Sequence, residues 1–343
     1  MKYLFAIFIP ILGFMGLWFQ SWFAPGSFYL GFVFIPILEF FLPINSTNET
    51  EIIRKQQSNA IYFDILLYLN LPLLYFLNFY FLFMLQSQPL DFWIWTLLVL
   101  NLGICTGVMG INVAHELGHR PGLINKIFSQ ALLLPALYMH FTVEHNFWHH
   151  KYVATSKDPS SARFNESLFR FWIRSIAGVY KKSIFLEARR LEQCQLPFFH
   201  WKNQLLCQLV LQFCYLGICY LIAGLLGLVS ALGIALIAIL LLESINYIEH
   251  YGLQRNLLDN HQIERVTNFH SWNSDHVLGR IFLYELTRHP HHHEKAAVKY
   301  QHLESKLHSP QLPFGYPASI LIALIPPLWF SLMNPRINTL IRP

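Results

Sequence analysis

Charged side chains are scarce in this chain of 343 residues. Asp, Glu, Lys and Arg make up 13% of it, whereas a soluble domain carries about 25%. Hydrophobic residues reach 54%, and the mean hydropathy is +0.38. This balance excludes an ordinary soluble protein and predicts an integral membrane protein. Nothing in it predicts a nucleic-acid partner.

Paired cysteines are also missing. No C-x-x-C pattern occurs, so the sequence predicts neither a disulfide framework nor a thiolate-bound iron or zinc site. Four of the five cysteines lie in apolar stretches, and we interpret the set as small buried side chains: Cys105, Cys194, Cys207, Cys214 and Cys219. A cleavable signal peptide is not expected either, because only Lys2 precedes the first apolar run and no small-residue cleavage site follows it.

Long apolar runs make up much of the sequence. Six of them predict membrane-spanning helices, at residues 3–18, 28–42, 62–85, 92–114, 203–225 and 228–247. The first two could instead form one helical hairpin that turns at Pro25-Gly26. The expected fold class is an all-α membrane protein with a single domain over residues 1–343, in which a helical cap holds the functional site.

Basic residues predict the orientation of this domain. Residues 113–202 contain 12 of the 24 Lys and Arg, and residues 249–343 contain 9. Six helices with both termini in the cytoplasm place every basic residue on one side, as the positive-inside rule expects. Residues 115–202 then form a cytoplasmic insertion, and 249–343 form a cytoplasmic C-terminal region. A seventh apolar stretch, 315–333, contains Pro326-Pro327 and is interpreted as interfacial or re-entrant.

Nine histidines form four tight clusters beside the predicted cytoplasmic helix ends. They occur in HELGH, HNFWHH, NYIEHYG and HPHHH, as His115, His119, His145, His149, His150, His250, His289, His292 and His293. Spacings of i, i+4 (115/119 and 145/149) and i, i+3 (289/292) place imidazoles on one helix face. Nine ligands are too many for one metal ion and suit two. A dinuclear metal centre at the bilayer surface is therefore predicted.

The ligand type narrows the choice of metal. Imidazole suits iron, copper, zinc and nickel, whereas structural zinc is satisfied by four ligands and usually includes thiolate. We favour two iron ions that activate dioxygen, and copper and zinc stay open at this point. Side chains expected to support the ligands, as acceptors of the distal imidazole N–H, are Glu116, Glu144, Asn146, Asp158, Asn246, Glu249, Asp275 and His276. Four further histidines are assigned to the same shell or to the surface: His140, His261, His270 and His291.

One cluster has a competing interpretation. HELGH matches the H-E-x-x-H signature of zinc proteases, in which His115 and His119 would bind zinc and Glu116 would act as general base. That alternative leaves seven histidines without a role. A metal transporter or sensor is a third class, and it fits poorly because the clusters lie at one predicted surface rather than along a path.

The motifs that contain these histidines resemble the motifs of a known family. HELGHR, EHNFWHHKYVATSKDPSSAR, NYIEHYGL and RHPHHH are similar to the four histidine motifs of the membrane alkane 1-monooxygenases. NYIEHYGL separates that family, with the related xylene monooxygenases, from fatty acid desaturases. The resemblance continues through NESLFRFWIR, SWNSDH, LPFGYP and PPLWF, and covers some 240 residues from the fourth predicted helix onward.

The resemblance implies a six-helix enzyme of the bacterial inner membrane with a cytoplasmic di-iron site held by these nine histidines. It implies terminal hydroxylation of medium-chain n-alkanes with O2, with electrons from rubredoxin and its reductase. A desaturase or hydroxylase of fatty acyl lipid is the alternative. Trp148 departs from the family, which usually has Gly before the paired histidines, and it puts substrate size in doubt. Because 113–202 holds 12 basic against 6 acidic residues, it would attract an acidic electron carrier or anionic lipid headgroups.

Overall fold

The computed structural model describes residues 2–57, 60–256, 258 and 262–341. Within these ranges the chain is helical, and the single β-type contact is a one-residue bridge between Asn273 and Gln311. The all-α expectation is therefore confirmed. Four helices among the described residues are long and apolar enough to cross a membrane, namely Lys2–Phe19, Ile61–Ser87, Phe92–Gly118 and Gln204–His250. The expected total of six spans stays a prediction.

The chain divides into two compact units. The first contains Met1–Phe34, Ala60–Thr142 and Ser183–Leu242, and the second contains Ile35–Asn59, Val143–Lys182 and Glu243–Pro343. Three helices include residues of both units: Phe141–Glu144, Leu168–Gln193 and Gln204–His250. The expectation of a single domain stays a prediction.

The first unit is an assembly of apolar helices joined by a few buried polar contacts. Its own helices are Lys2–Ile7, Phe8–Phe19, Ser21–Phe23, Gly26–Phe28, Tyr29–Phe34, Ile61–Tyr68, Asn70–Ser87, Phe92–Cys105, Thr106–Asn112, Val113–Gly118 and Leu123–Leu133. The buried Asn101 amide accepts a bond from the Ser27 backbone N–H at 2.9 Å and donates to the Gly13 carbonyl at 3.0 Å. In an apolar environment an unpaired amide is costly, so these bonds fix three helices against one another.

A sharp reversal interrupts the 47-residue helix Gln204–His250. Ala223 and Gly224 leave helical geometry, and Gly224 adopts a φ of 61°, which favours glycine. A Cβ on Gly227 would lie 2.4 Å from the carbonyl oxygen of Cys219. Eight residues of straight helix cover about 12 Å, so the chain turns back on itself here. The reversal matches the break that the sequence predicts between residues 225 and 228.

The second unit carries shorter helices and more polar groups. Its own helices are Ile35–Phe41, Glu51–Gln57, His145–His149, His150–Tyr152, Val277–Phe282, His289–Glu294, Tyr300–His302, Tyr316–Ala323 and Pro326–Ile341. The buried Glu39 carboxylate accepts a bond from the Gly279 backbone N–H at 2.7 Å. Gly315 leaves room for that carboxylate, because a Cβ there would overlap Glu39 Oε2. Glu39 therefore joins three segments of this unit.

Large apolar side chains are exposed along the predicted spans. Phe40 is 78% exposed, Phe213 69% and Leu221 82%. Exposure on this scale marks a surface that faces lipid rather than water. The segment 315–333 is bent by 119° between Tyr316–Ala323 and Pro326–Leu340, as expected from its proline pair. Whether it spans or re-enters the membrane stays a prediction.

Candidate metal centre

Four buried histidines of the second unit form one potential metal site. They are His149, His250, His289 and His293, and their potential ligand atoms all lie within 4.8 Å of one another. The Nε2 atom of His289 is 3.2 Å from that of His250 and 2.9 Å from that of His293. At such distances four nitrogen lone pairs surround a volume that suits a single metal ion.

The histidine helix explains two of these ligands. His289–Glu294 begins with Pro290 in its first turn, where the missing N–H costs nothing. His289 and His293 are separated by one helical turn, so their imidazoles meet. The sequence predicts the i, i+3 pair 289/292, but the structure pairs 289 with 293 and turns His292 to a different group.

Three other histidines of the second unit form that group. The Nε2 atom of His150 is 3.0 Å from that of His145 and 3.2 Å from that of His292. His145–His149 is a π-helical turn, and its wider i, i+5 repeat brings His145 beside His150. The predicted i, i+4 pair 145/149 is therefore divided between the two groups.

The remaining two histidines lie in the first unit. His115 and His119 come at the end of Val113–Gly118, and their Nε2 atoms are 3.3 Å apart, as the i, i+4 spacing predicts. Glu116 accepts bonds from Arg120 at 2.7 and 2.9 Å, and Asp64 accepts a third at 2.5 Å. The Arg120 guanidinium thus donates hydrogen bonds to two carboxylates beside this histidine pair.

The four-histidine group has the donor chemistry of a metal site. His149 is fully buried, and its Nε2 has no hydrogen-bond partner among the described residues. Its Nδ1 lies 2.9 Å from Asp158 Oδ2, so the imidazole proton is held on Nδ1 and the Nε2 lone pair is free for a metal. Burial opposes ionisation of Asp158, yet its contacts with His149 and the Ser161 hydroxyl hold the pKa of this carboxyl below its ordinary value.

Three other predicted supporting residues are Glu144, Asn146 and Asn246. Glu144 is buried, and burial raises its pKa well above the ordinary value, with a further contribution from Asp158 and Glu243. Asn246 donates to Glu243 Oε2 at 3.3 Å. Asn146 is half-buried. Glu144 therefore lies near two other carboxylates, close to the ligand segment.

Asp275 and His276 form hydrogen bonds with residues outside the two histidine groups. Asp275 accepts bonds from Arg288 at 3.3 Å and from the Ser305 hydroxyl at 2.6 Å. Arg288 directly precedes His289 and also donates to the Leu303 carbonyl at 2.8 Å. The structure thus places Asp275 at the start of the histidine helix. His276 Nδ1 lies 3.0 Å from the Ser274 hydroxyl.

The extra histidines take separate positions. His291 accepts the Glu304 backbone N–H at 2.9 Å, and His270 contacts Glu264 at 2.9 Å. His140 is buried in the first unit with its ring 4.5 Å from that of Tyr138. His261 lies outside the described residues.

The contacts of the Glu249 carboxylate with Tyr316 and His289 are not predicted by the sequence. The Glu249 carboxylate accepts a bond from the hydroxyl of Tyr316 at 2.8 Å, and its second oxygen is 3.2 Å from Nε2 of His289. Tyr316 is fully buried. The signal that could have found it is LPFGYP, a motif whose tyrosine lies 67 residues beyond Glu249 and which has no metal-binding residue of its own.

Trp148 lies at a basic surface of the second unit. Its indole N–H donates to the Lys157 carbonyl at 3.0 Å, and its ring is 4.4 Å from that of Tyr152. The Lys182 ammonium lies 4.1 Å from the centre of the indole, a cation–π contact. The tryptophan ring thus supports cationic side chains directly beside two candidate ligands.

Comparison with known proteins agrees with this chemistry. The fatty acid desaturase family model matches residues 91–320, a range that includes all nine histidines. Apolar spanning helices, buried histidine groups and this match together define a membrane enzyme of the histidine-rich desaturase and hydroxylase class.

Curated relatives specify the family. Alkane 1-monooxygenase 2 of Pseudomonas aeruginosa is 35% identical over 342 residues, covering 96% of this chain and 91% of its own length. An alkane 1-monooxygenase of Acinetobacter baylyi is 34% identical over 315 residues, covering 92% and 77%. Alkane 1-monooxygenase 1 of P. aeruginosa is 40% identical over 240 residues, covering 70% and 63%. The chain belongs to the alkane 1-monooxygenase family, and the resemblance in its histidine motifs is confirmed.

Proposed function

We propose that this membrane enzyme hydroxylates the terminal carbon of medium-chain n-alkanes. It uses O2, two iron ions bound by the nine histidines, and electrons that rubredoxin delivers from its reductase. The observation that carries the proposal is the buried four-histidine group with converging Nε2 atoms. Relatives named alkane 1-monooxygenases support the substrate class.

Iron is the metal that best suits this donor set. Imidazoles are neutral, so nine of them leave the bound ions with most of their positive charge, and the chain offers more ligands than structural zinc needs. Bound iron would supply the activation of dioxygen. The chain's own contribution is to orient the imidazoles, as Asp158 does for His149, and to exclude water by burying the group.

The substrate and the membrane location support each other. An alkane dissolves poorly in water and partitions into the bilayer, where the apolar helices of this chain lie. We propose the bacterial inner membrane, with both termini and the histidine groups on the cytoplasmic side, because the basic residues then lie inside. Protease accessibility of tags at the two ends in spheroplasts tests this orientation, and cleavage of either tag from outside would contradict it.

Rubredoxin would dock on the basic surface beside Trp148. In residues 143–182 the three acidic side chains are buried, as Glu144, Asp158 and Glu166. The same stretch exposes five basic side chains: Lys151, Lys157, Arg163, Arg170 and Lys181. A surface with this charge pattern attracts an acidic protein and speeds its association.

Charge reversal at this surface tests the docking proposal. Lys151→Glu with Lys157→Glu should raise the KM for rubredoxin about tenfold at low salt, at roughly 1 kcal/mol per exposed charge. The difference from wild type should shrink as salt screens the charges. Arg336→Glu changes an exposed charge elsewhere and is the control. A KM that tracks net charge equally in both variants would contradict a specific docking surface.

The function itself is tested with purified protein in lipid nanodiscs, supplied with rubredoxin, reductase, NADH, n-octane and ¹⁸O2. We expect labelled 1-octanol and two iron ions per chain. His250→Gln should lower the rate at least about 100-fold, because it removes a proposed ligand. His308→Gln, the same change at an exposed histidine, should match wild type. One zinc per chain and no iron would refute the proposal.

A fatty acyl lipid desaturase or hydroxylase is the second candidate. The match to the fatty acid desaturase family model favours it. The same assay with an acyl lipid in place of octane separates the two. Formation of a double bond in the acyl chain, without octanol from octane, would select the desaturase.

A further inference from the structure

Glu249 occupies an unusual position for a carboxylate that precedes a histidine. Its side chain is about 2% exposed. One oxygen accepts the Tyr316 hydroxyl at 2.8 Å, and the other lies 3.2 Å from Nε2 of His289. That nitrogen belongs to the interior of the four-histidine group, since it is also 3.2 Å from Nε2 of His250 and 2.9 Å from Nε2 of His293. The second oxygen of Glu249 therefore lies on the Nε2 side of His289, which is the side on which an ion would bind.

Proton placement decides what this oxygen can contact. An imidazole that binds metal through Nε2 presents a lone pair there and carries its proton on Nδ1. His289 Nε2 then has no proton to donate to Glu249. Two lone-pair atoms 3.2 Å apart in a buried site need either a proton or a metal ion between them, and in the loaded site the metal ion takes that place.

Charge balance leads to the same conclusion. In the described part of the chain, no Lys or Arg forms an ion pair with Glu249, and its side-chain contacts are Tyr316 and His289. By contrast, Glu116 has Arg120, Glu166 has Arg174 and Glu285 has Arg280. Glu39 is held instead by the Gly279 backbone N–H. Buried carboxylates are normally paired or coordinate metals. The bound ion is the cation available to Glu249.

We infer that Glu249 is a fifth ligand of the ion held by His149, His250, His289 and His293, bound through Oε2 while Tyr316 holds Oε1. This rests on the metal centre of the proposed function and deepens it. The anionic ligand would lower the net charge of that ion. Sequence reasoning assigned Glu249 to an imidazole N–H, whereas the geometry turns it to the metal face.

Infrared difference spectroscopy on metal loading tests the inference without relying on activity. Metal-free protein is loaded with Fe²⁺ and, separately, with Zn²⁺. We expect the carboxylate stretching bands of wild type to shift with either ion, and the shift to vanish in Glu249→Gln. Glu39→Gln is the matched control, because Glu39 is also buried in the second unit but is bonded to the Gly279 backbone N–H. It should retain the shift.

The rate of metal transfer to a chelator is the second measurement. We expect release of one ion per chain about tenfold faster in Tyr316→Phe, since loss of a group that supports a ligand typically weakens metal affinity by at least that factor. Absence of a carboxylate shift in wild type would overturn the inference, even if Glu249→Gln fails to fold. A shift that persists in a folded Glu249→Gln would also overturn it. A shift seen with both ions in a protein that does not oxidise octane would refute the proposed function and leave the ligand assignment intact.

Discussion

Replacement of Asp158 by asparagine is a sharp test of how the chain orients a candidate ligand. All three partners of this carboxylate are donors: His149 Nδ1 at 2.9 Å, the Ser161 hydroxyl at 2.6 Å and the Ser160 backbone N–H at 3.1 Å. Asparagine keeps the shape of the side chain but has one acceptor oxygen. In either orientation its NH2 group must therefore face a donor.

The size of the effect follows from these contacts. If the amide NH2 faces His149, the imidazole must accept at Nδ1 and carry its proton on Nε2, where it blocks metal binding. If the amide oxygen faces His149, a charged hydrogen bond becomes neutral and the Ser160 contact is lost. Hydrogen bonds to charged groups contribute about 1.5–3 kcal/mol. At about 1.4 kcal/mol per factor of ten, Asp158→Asn should weaken retention of the ion roughly 10- to 100-fold.

The assay is the rate of metal transfer from detergent-purified protein to a chromogenic chelator. Asp91→Asn is the control, because Asp91 caps a helix through the Trp93 backbone N–H at 2.8 Å, and asparagine caps equally well. The control should match wild type. A transfer rate for Asp158→Asn within twofold of wild type, in a variant with an unchanged circular dichroism spectrum, would refute the orienting role of Asp158.

Three further predictions follow from the geometry. In double-mutant cycles on metal retention, His149 and His293 should couple by about 0.5–3 kcal/mol, because they belong to the same histidine group. The effects of changing His149 and His292 should be nearly additive. Equal coupling energies in the two cycles would contradict the division of the histidines into two groups. Gly227→Ala should lower the free energy of unfolding by about 1–3 kcal/mol in thermal melts, because its Cβ would contact backbone at 2.4 Å, while Gly217→Ala, with open space around it, should not. Stripping the metal should lower the melting temperature by about 5 °C relative to protein with free metal at 100 times Kd, since binding then contributes about 2.7 kcal/mol; an unchanged melt would mean that the histidine groups bind no metal.

Much of the fold follows from the hydropathy of the sequence and from the positions of glycine and proline in it. Apolar runs predict the spanning helices, because only a helix satisfies its own backbone in lipid. The break before Gly227 and the bend at Pro326 were both expected, since glycine and proline mark positions where a helix turns or ends. The short segment 28–42 was harder to assign, because the structure divides it among Gly26–Phe28, a π-helical turn at Tyr29–Phe34 and Ile35–Phe41.

The division of the histidines could not be predicted, although their identity could. An α-helical repeat pairs residues four apart, which is correct for His115 with His119 and for His289 with His293. The π-helical turn at 145–149 changes the repeat to five and pairs His145 with His150. A π turn depends on the packing around it and has no local sequence signal. Sequence spacing alone therefore does not reveal how the histidines divide between the two groups.

Two carboxylates show why tertiary contacts decide chemical roles near such ligands. Asp158 reaches the Nδ1 side of His149, where it holds a proton in place and leaves the metal face to nitrogen. Glu249 reaches the Nε2 side of His289, because Tyr316 approaches from a distant helix and fixes its other oxygen. The first contact would raise the basicity of a neutral ligand, and the proposed second contact would bring a negative charge to the ion itself. Glu249 adjoins His250 in the sequence, so proximity favours it as the residue that supports that imidazole. The carboxylate that contacts Nδ1 of an imidazole is instead Asp158, which lies nine residues from His149. A carboxylate on the metal face would lower the net charge of the ion that it binds, and would thereby lower the affinity of that ion for electrons.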